Sequence, residues 1–468
     1  MDTRDSSSGQ YYIDTAPLSW RHIGITAAAS LGQFVGCALA TLASVIIPLI
    51  QIVGHPELSS PMQGLIGAAD LIGICIGSAV FGRLIDRFGY ILFFRLCPVI
   101  ILVSSLVAYF FPTIPVLIVC LLVMGFGIGG EYSLDSSYIS ELMPDRWRFL
   151  MVGSAKSASS LGNIVTAAVC FWIVGGWHNA GLWPSLLLIM AAVAALMLLT
   201  RIGFHESPQW LLSKGRYQAA EKATHEFLGP DVNVKLPSPT DEKPAAHAAV
   251  KAATSYWGFI KDNFRKVVLT GIPWACEGLG VYGIGVFLPI LVMSLGLEKD
   301  DAGLSRLAHV VSSVEVTFLI SCIMLPGFIL GLFLIGKMKS WRIQTIGFYL
   351  SAASLVVLLF SYTGHWSKWV SIAAFMAFEL FLNMGPHLIT YVLPPQVYPV
   401  ADRGVGSGLA AALGKVGAVL GVFFIPVLLH VGGASLVLIV SAAVMLVGGL
   451  ITQLFRPRKA RTNKTASA

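Results

Sequence analysis

Twelve continuously apolar stretches run along this 468-residue chain, each close to the 20 or so residues that a helix needs to cross about 30 Å of hydrocarbon. They lie at approximately 24–50, 63–84, 91–111, 115–141, 150–174, 181–202, 267–294, 314–336, 342–361, 369–392, 404–430 and 434–454. Lipid offers no partner for backbone polar groups, so such segments cross as helices or close into a barrel. Barrel strands alternate in polarity over about ten residues, and these runs do not alternate. An all-α membrane protein is therefore expected. Only 12% of residues are charged, against about a quarter in soluble domains, which excludes an ordinary soluble enzyme fold. Residues 1–20 are polar, with no basic flank, short apolar core or small-residue cleavage site, so the first stretch is expected to act as its own uncleaved insertion signal.

Lys and Arg fall in alternate connections. Arg83, Arg87 and Arg95 follow the second stretch, Arg146 and Arg148 the fourth, and Lys337, Lys339 and Arg342 the eighth, whereas the connections after the first, third, fifth and eleventh carry none. The positive-inside bias then places both termini in the cytoplasm of a multi-pass cell-membrane protein. The net charge of +7 reads as topology and contact with anionic lipid heads, with no nucleic-acid partner expected. The basic tail around Arg456, Arg458, Lys459 and Arg461 reads the same way, a protein-binding site being the alternative. Seven cysteines (Cys37, Cys75, Cys97, Cys120, Cys170, Cys276, Cys322) all lie within predicted spans and are expected to be packing residues.

The second and third stretches are joined by Gly82-Arg83-Leu84-Ile85-Asp86-Arg87-Phe88-Gly89. This resembles the Gly-x-x-x-Asp-Arg-x-Gly link of major facilitator superfamily transporters, although Tyr90 and Ile91 stand where a basic pair is usual. The resemblance implies twelve transmembrane helices in two pseudo-symmetric six-helix bundles, monomeric, with substrate bound near the midplane between halves. Domains are expected at 1–20 (N-terminal tail), 21–203 (first bundle), 204–263 (cytoplasmic linker), 264–454 (second bundle) and 455–468 (basic tail). The linker opens on His205-Glu206-Ser207-Pro208-Gln209-Trp210-Leu211, similar to the Pro-Glu-Ser-Pro-Arg-x-Leu signature of sugar porters. It continues through a helix-like Arg216 to Leu228 and a flexible stretch from Leu236 to Ala253. Glu141 precedes Arg148 by seven residues, and Gln396 precedes Arg403 by seven at the corresponding place in the other half. In relatives this spacing carries a Glu–Arg clamp at the cytoplasmic ends, so Arg83, Asp86, Arg87, Glu141, Arg148 and Arg403 are the expected gating residues.

Ionisable side chains at mid-span depth are costly, about 2.5 to 3.5 kcal/mol on insertion scales, and mark function. The set here is Asp70, Glu131, Asp135, Lys156, Glu277, Glu315, Glu379, His387 and Lys415. Glu131 and Asp135 share one face of the fourth stretch, where like-charge repulsion favours holding a proton; the alternative is that Lys156 or backbone donors keep both ionised. Gly129-Gly130-Glu131-Tyr132-Ser133-Leu134 resembles the helix-4 signature of proton-coupled phosphate symporters and their sugar-porter-like bacterial relatives. That match implies a protonatable Glu131 and a substrate-lining Tyr132. Gly414-Lys415-Val416-Gly417-Ala418 resembles the segment that carries their anion-binding lysine, with a salt bridge to Glu379 or Glu277 as the alternative role for Lys415.

Lys156 stands where sugar porters place a sugar-binding Gln, which favours an anion. Trp274 and Tyr282 match an aromatic pair of the same symporters, while Glu277 sits one position before their Asp, which falls at Gly278. His387 replaces their substrate-contacting Asn and either binds a carboxylate, titrates or packs. The first stretch offers only Gly32 and Gln33 where relatives carry an acid. No phosphate loop, His-Glu-x-x-His motif or Cys/His cluster is present, so no cofactor, metal or enzymatic activity is expected. The expected function is proton-driven uptake of a small anion, an organic carboxylate or phosphate. Lys415, Lys156, Tyr132, Trp274, Tyr282 and His387 would contact the substrate, and Glu131, Asp135 or Glu277 the proton. A neutral-sugar porter, a proton-driven efflux antiporter and a transporter-like sensor are the alternatives.

Overall fold

A computed structural model describes residues 11–53, 60–176, 180–233, 256–285 and 322–457 of the chain. Helices α1 (Trp20–Ile52), α2 (Ser60–Phe88), α3 (Ile91–Phe110), α4 (Ile114–Leu142), α5 (Arg148–Gly176) and α6 (Leu187–Thr200) correspond to the first six apolar stretches. Two short helices follow, α7 (Pro208–Ser213) and α8 (Tyr217–Leu228), then α9 (Tyr256–Asp262). Helix α10 (Phe264–Gly278) runs on through a π-helical turn at Leu279–Ile284, and α11 is Cys322–Ile335. The remaining helices are α12 (Ser340–Thr363), α13 (Lys368–Met384), α14 (Pro386–Val392), α15 (Pro394–Val397) and α16 (Arg403–Phe455).

Eleven described segments are long and apolar enough to span a membrane, and α11 adds a shorter one. The expected all-α membrane fold is therefore found. The part of the eighth predicted stretch before Cys322, including Glu315, lies outside the described residues, as do the end of the seventh and the expected flexible stretch from Leu236 to Ala253. The last two stretches join end to end in α16, where Gly433 takes φ 63° and turns the chain between them. Gly385 and Pro386 divide the tenth stretch into α13 and α14, because proline supplies no N–H to continue the ladder.

Contacts between the sequence halves run through α2 and α4 against the first part of α16, and through α5 against α14. The α2–α16 seam is made by glycine. A Cβ on Gly82 would come within 2.7 Å of the Gly404 carbonyl oxygen and 3.2 Å of Gly408 Cα. Backbones approach this closely only where side chains are absent. The seam lies at the end of the bundle that carries both termini, since Asp14 meets the α4–α5 connection and Phe455 meets Arg265 at the start of α10.

The linker docks on that same end. Gly89 closes the α2–α3 turn at φ 91°, and a Cβ there would strike the carboxylate of Glu206. Glu206 in turn accepts from the backbone N–H of Tyr90 at 2.6 Å and of Ile91 at 3.3 Å, capping α3 where the helix dipole favours an anion. Burial pushes the Glu206 carboxyl above its usual range while these N–H groups draw it back down. Phe204 stacks on Tyr138 of α4 and Phe227 meets it edge-on, at centroid separations of 5.7 and 6.4 Å. A two-residue parallel ladder, β1 (Tyr11–Tyr12) with β2 (Val232–Asn233), ties the N-terminal tail to the linker.

Replacing Gly408 by Val is expected to force α2 and α16 apart at the terminal end. A cysteine placed at Ser78 should then gain reactivity towards a hydrophilic maleimide by about ten-fold over the same cysteine in the glycine background, if the ~1–3 kcal/mol overpacking cost opens the seam. Unchanged labelling would show that the seam yields elsewhere.

Candidate functional site

Buried polar side chains occur at three depths. In the middle, Lys415 projects from α16 and donates to the hydroxyl of Tyr282 at 2.5 Å. Its ammonium lies 3.8 Å from the Tyr282 ring centroid and 4.8 Å from that of Tyr132. Tyr282 belongs to the π-helical turn of α10, an irregularity that occurs mostly at functional sites. From the other half of the sequence, Lys156 on α5 lies 5.3 Å from the same Tyr132 ring and 5.8 Å from Tyr391, and donates to Gln33 Oε1 at 3.4 Å. Both lysines are buried, at 1% and 2% exposure. Among the described residues neither has a carboxylate within 4 Å, so the alternative of a salt bridge from Lys415 to Glu379 or Glu277 is not what is found. Within 4 Å the two desolvated ammoniums meet ring faces and neutral oxygens, with the Glu277 carboxylate farther off but in electrostatic range.

Aromatic rings enclose this pair. Tyr132 lies 6.4 Å from Trp274 and 6.5 Å from Tyr391, and its hydroxyl is 3.5 Å from that of Tyr282. Glu277 faces inward from α10 and pairs with His387 Nδ1 of α14. The one-position offset of Glu277 from the family's Asp does not turn it away from the interior. Glu277 Oε2 and His387 Nε2 are buried without a partner among the described residues. Glu379 is also buried and is bonded by Asn383, at 3.3 Å, on its own helix.

Towards the terminal end, Glu131 meets a residue absent from the sequence-derived set. Arg201, just past α6, makes a fork to it, Nη1 to Oε1 at 2.8 Å and Nη2 to Oε2 at 2.7 Å. Lys156 is therefore not the counter-ion of Glu131. Arg201 also donates to the Phe94 carbonyl at 3.3 Å and lies over the Phe94 ring at 4.6 Å. Asp135 Oδ1 is 3.7 Å from Arg201, too far for a hydrogen bond, and neither of its oxygens has a donor among the described residues. The close approach of α1 to the two acids requires Gly32, whose Cβ would enter the Glu131 and Asp135 side chains. Arg201 was missed because it closes an apolar run, where an arginine usually reads as a headgroup anchor. Tyr391, also missed, carries no polar sequence signal beyond its hydroxyl.

At the terminal face the expected clamp is wired differently. Arg148 does not reach Glu141; it pairs with Asp14 at 2.8 Å and Asp145 at 2.6 Å. Glu141 is buried, accepts from Tyr90 at 2.8 Å and Ser207 at 2.5 Å, and faces Arg403 of the opposite half at 3.6 Å. Asp86 accepts from the backbone N–H groups of Gly404 at 3.1 Å and Val405 at 2.9 Å, capping α16 across the seam. Of the six expected gating residues, Asp86, Glu141 and Arg403 thus come together. Arg83 lies over Tyr256 of α9, and Arg87 over its own neighbour Phe88. Gln396 bonds Ser340 at 2.8 Å within its own half.

The profile of the sugar (and other) transporter family matches residues 3–462. The chain is 28% identical over 415 residues to the inner membrane metabolite transport protein YgcS of Escherichia coli K12, covering 87% of this chain and 86% of that protein. It is 23% identical over 450 residues to a repressible high-affinity phosphate permease of Neurospora crassa, covering 87% and 78%. Among solved structures, the proton:xylose symporter XylE bound to 6-bromo-6-deoxy-D-glucose superposes with a TM-score of 0.76 at 18% identity, covering 94% of this chain and 96% of XylE.

Arg201→Gln leaves Glu131 buried without its fork and is expected to destabilise the protein by about 3 to 5 kcal/mol. Adding Glu131→Gln should recover most of that loss, read as thermal unfolding in detergent; two additive losses would contradict the pairing.

Proposed function

From its membership of the sugar (and other) transporter family, to which this chain belongs, we propose that it couples protons to the uptake of a small anion. The coarser statement needs no proposal: the chain is a multi-pass membrane protein and a secondary transporter of the major facilitator type, not an enzyme. The observation that carries the finer reading is the Lys156–Lys415 pair, two buried ammoniums from opposite halves with no carboxylate within 4 Å among the described residues. An apolar enclosure makes such charges expensive unless a ligand completes them. A carboxylate or phosphate between them would replace lost hydration for both, and would draw the two halves together over Tyr132, Trp274 and Tyr391. A neutral sugar would leave both charges unanswered.

Of the two acids on α4, Asp135 is assigned the proton and Glu131 the structural anion. The Arg201 fork satisfies both oxygens of Glu131, whereas Asp135 receives no hydrogen bond among the described residues. Protonating Asp135 removes the second negative charge that Arg201 must serve, which frees α4 to move relative to α1. The Glu277–His387 pair in the other half sits beside the lysines as a wall of the pocket.

At the terminal face, taken as cytoplasmic by the distribution of basic residues, Asp86 and Glu141 of one half hold Gly404, Val405 and Arg403 of the other. These contacts close that side. A transporter in this state releases its substrate inward only after they break. The relatives named above, a metabolite transporter and a phosphate permease, are compatible in substrate class, and XylE supports proton symport as the mode.

The substrate class is tested by thermal shift of purified protein with small carboxylates, phosphate and neutral sugars. Acids should stabilise the wild type, and Lys415→Gln should abolish the shift; stabilisation by a sugar that survives Lys415→Gln would replace the anion with a neutral substrate. With the acid so found, Asp135→Asn in proteoliposomes should retain counterflow and lose accumulation driven by a pH gradient. If Asp135→Asn and Glu131→Gln both accumulate normally, neither acid carries the proton.

A further inference from the structure

The mid-depth site continues away from the terminal end into a pocket that the anion-binding residues do not account for. Ala40, Ala43 and Ser44 of α1, Gly67 and Asp70 of α2 and Tyr282 of α10 line it. Asp70 is 1% exposed. Its Oδ1 accepts from the N–H of Leu71 at 2.8 Å, and its Oδ2 has no partner among the described residues. The other polar atoms of the lining are also short of donors. Ser44 spends its proton on the Thr41 carbonyl at 2.8 Å, leaving lone pairs. The Tyr282 hydroxyl accepts from Lys415 and lies 3.5 Å from that of Tyr132, either of the two being the donor. The small side chains Ala40, Ala43 and Gly67 leave a cavity of about 10 Å³ beside these acceptors, enough for one hydroxyl oxygen.

We propose that Asp70 is a specificity-determining residue that accepts hydrogen bonds from hydroxyl groups of the substrate, so that the transported anion is a hydroxylated carboxylate. This rests on the anion reading above and extends it. One end of the site offers ammonium, the other an unsatisfied carboxylate oxygen and a serine lone pair, with Tyr282 bonded to Lys415 and lining the pocket with Asp70 and Ser44. A carboxylate seated at Lys415 and Lys156 points the rest of its chain at Asp70, and hydroxyls there supply the donors that the walls lack. A buried acceptor left unmade is expensive, so an analogue without the hydroxyl is rejected by the site rather than merely bound less. An ammonium on the substrate would serve as donor too, but it would add a third buried cation beside Lys415 and Lys156. A hydroxyl donates without that charge, which decides between them.

The charged and titratable groups facing Asp70 are few. Lys415 of α16 is within electrostatic range, Cys75 lies on the same helix, and Tyr282 stands across the pocket. From α4, Tyr132 is within electrostatic range, and nearer by Gly125 presents backbone: a Cβ on it would strike the Asp70 carbonyl. No protein group on these elements answers Oδ2 among the described residues.

The test compares gluconate, hexanoate and 6-aminohexanoate by thermal shift on the purified wild type, Asp70→Ala and Asp70→Asn. The wild type should bind gluconate about ten-fold tighter than hexanoate, and Asp70→Ala should bring that ratio towards one. Without ligand, Asp70→Asn should melt no lower than the wild type, because it removes an unsatisfied charge rather than a structural bond. Equal binding of gluconate and hexanoate by the wild type, or a ratio that survives Asp70→Ala, overturns the inference while leaving the anion reading intact. Preference for 6-aminohexanoate overturns it in favour of a cationic group, and a large drop in the ligand-free melting temperature of Asp70→Asn overturns it in favour of a structural carboxylate. If none of the three acids binds the wild type, the anion reading fails first and this inference falls with it.

Discussion

A carboxylate sealed in a bundle that crosses lipid has to be answered by a positive group, and Glu131 is answered by a single side chain through two parallel hydrogen bonds. That fork organises the inner half of the N-terminal bundle. It ties α4 to the end of α6, and through the Phe94 carbonyl and ring to α3. It also turns the two Nη groups of Arg201 onto Glu131 and leaves Asp135, one turn away, at 3.7 Å. The contrast between two neighbouring acids, one saturated and one orphaned, follows from the reach of one arginine. The lysines higher in the bundle have no comparable partner, and the difference between a satisfied charge and an unsatisfied one separates scaffold from binding site throughout this molecule.

The same logic organises the terminal face. Negative groups of the first half, Asp86 and Glu141, meet the N-terminal end of α16, where exposed N–H groups and Arg403 are both positive. Glycines on the two facing helices let the backbones approach far enough for these bonds to form. The linker supports the negative side from behind: Ser207 bonds Glu141, Trp210 Nε1 donates to the Asp86 carbonyl at 3.2 Å, and Glu206 fixes the α2–α3 turn. The segment that divides the chain in sequence is thus a brace for one side of the seam. Each contact is individually modest, and the closed face depends on their acting together.

Much of the architecture was legible because membrane helices announce themselves by length and continuous apolarity, which no tertiary contact can override. The turn at Gly89 was likewise written in a residue type that leaves the backbone few choices, whereas the break at Gly385-Pro386 falls inside what reads as one continuous stretch. The site was legible residue by residue but not pair by pair. Lys156, Lys415, Tyr132, Trp274, Tyr282, Glu277 and His387 converge, yet spacing along one chain could not say that Glu277 would face His387 or that Arg403 would pass over its own half to face Glu141. Arg148 went to Asp14, a residue of the polar tail with no motif to flag it. Arg201 escaped because hydropathy places a charge along a helix but says nothing about how far a flexible side chain reaches back from its end.

The short ladder between the tail and the linker has a mechanical meaning. Tyr11 and Tyr12 are paired with Val232 and Asn233, Asp14 grips Arg148, and the linker is stacked on Tyr138, so all three attachments lie on the same half of the molecule. When the halves rock, the tail rides as cargo on one of them and crosses no moving boundary. A probe fixed there would report the rotation of that half as a rigid lever, undiluted by slack in the connection.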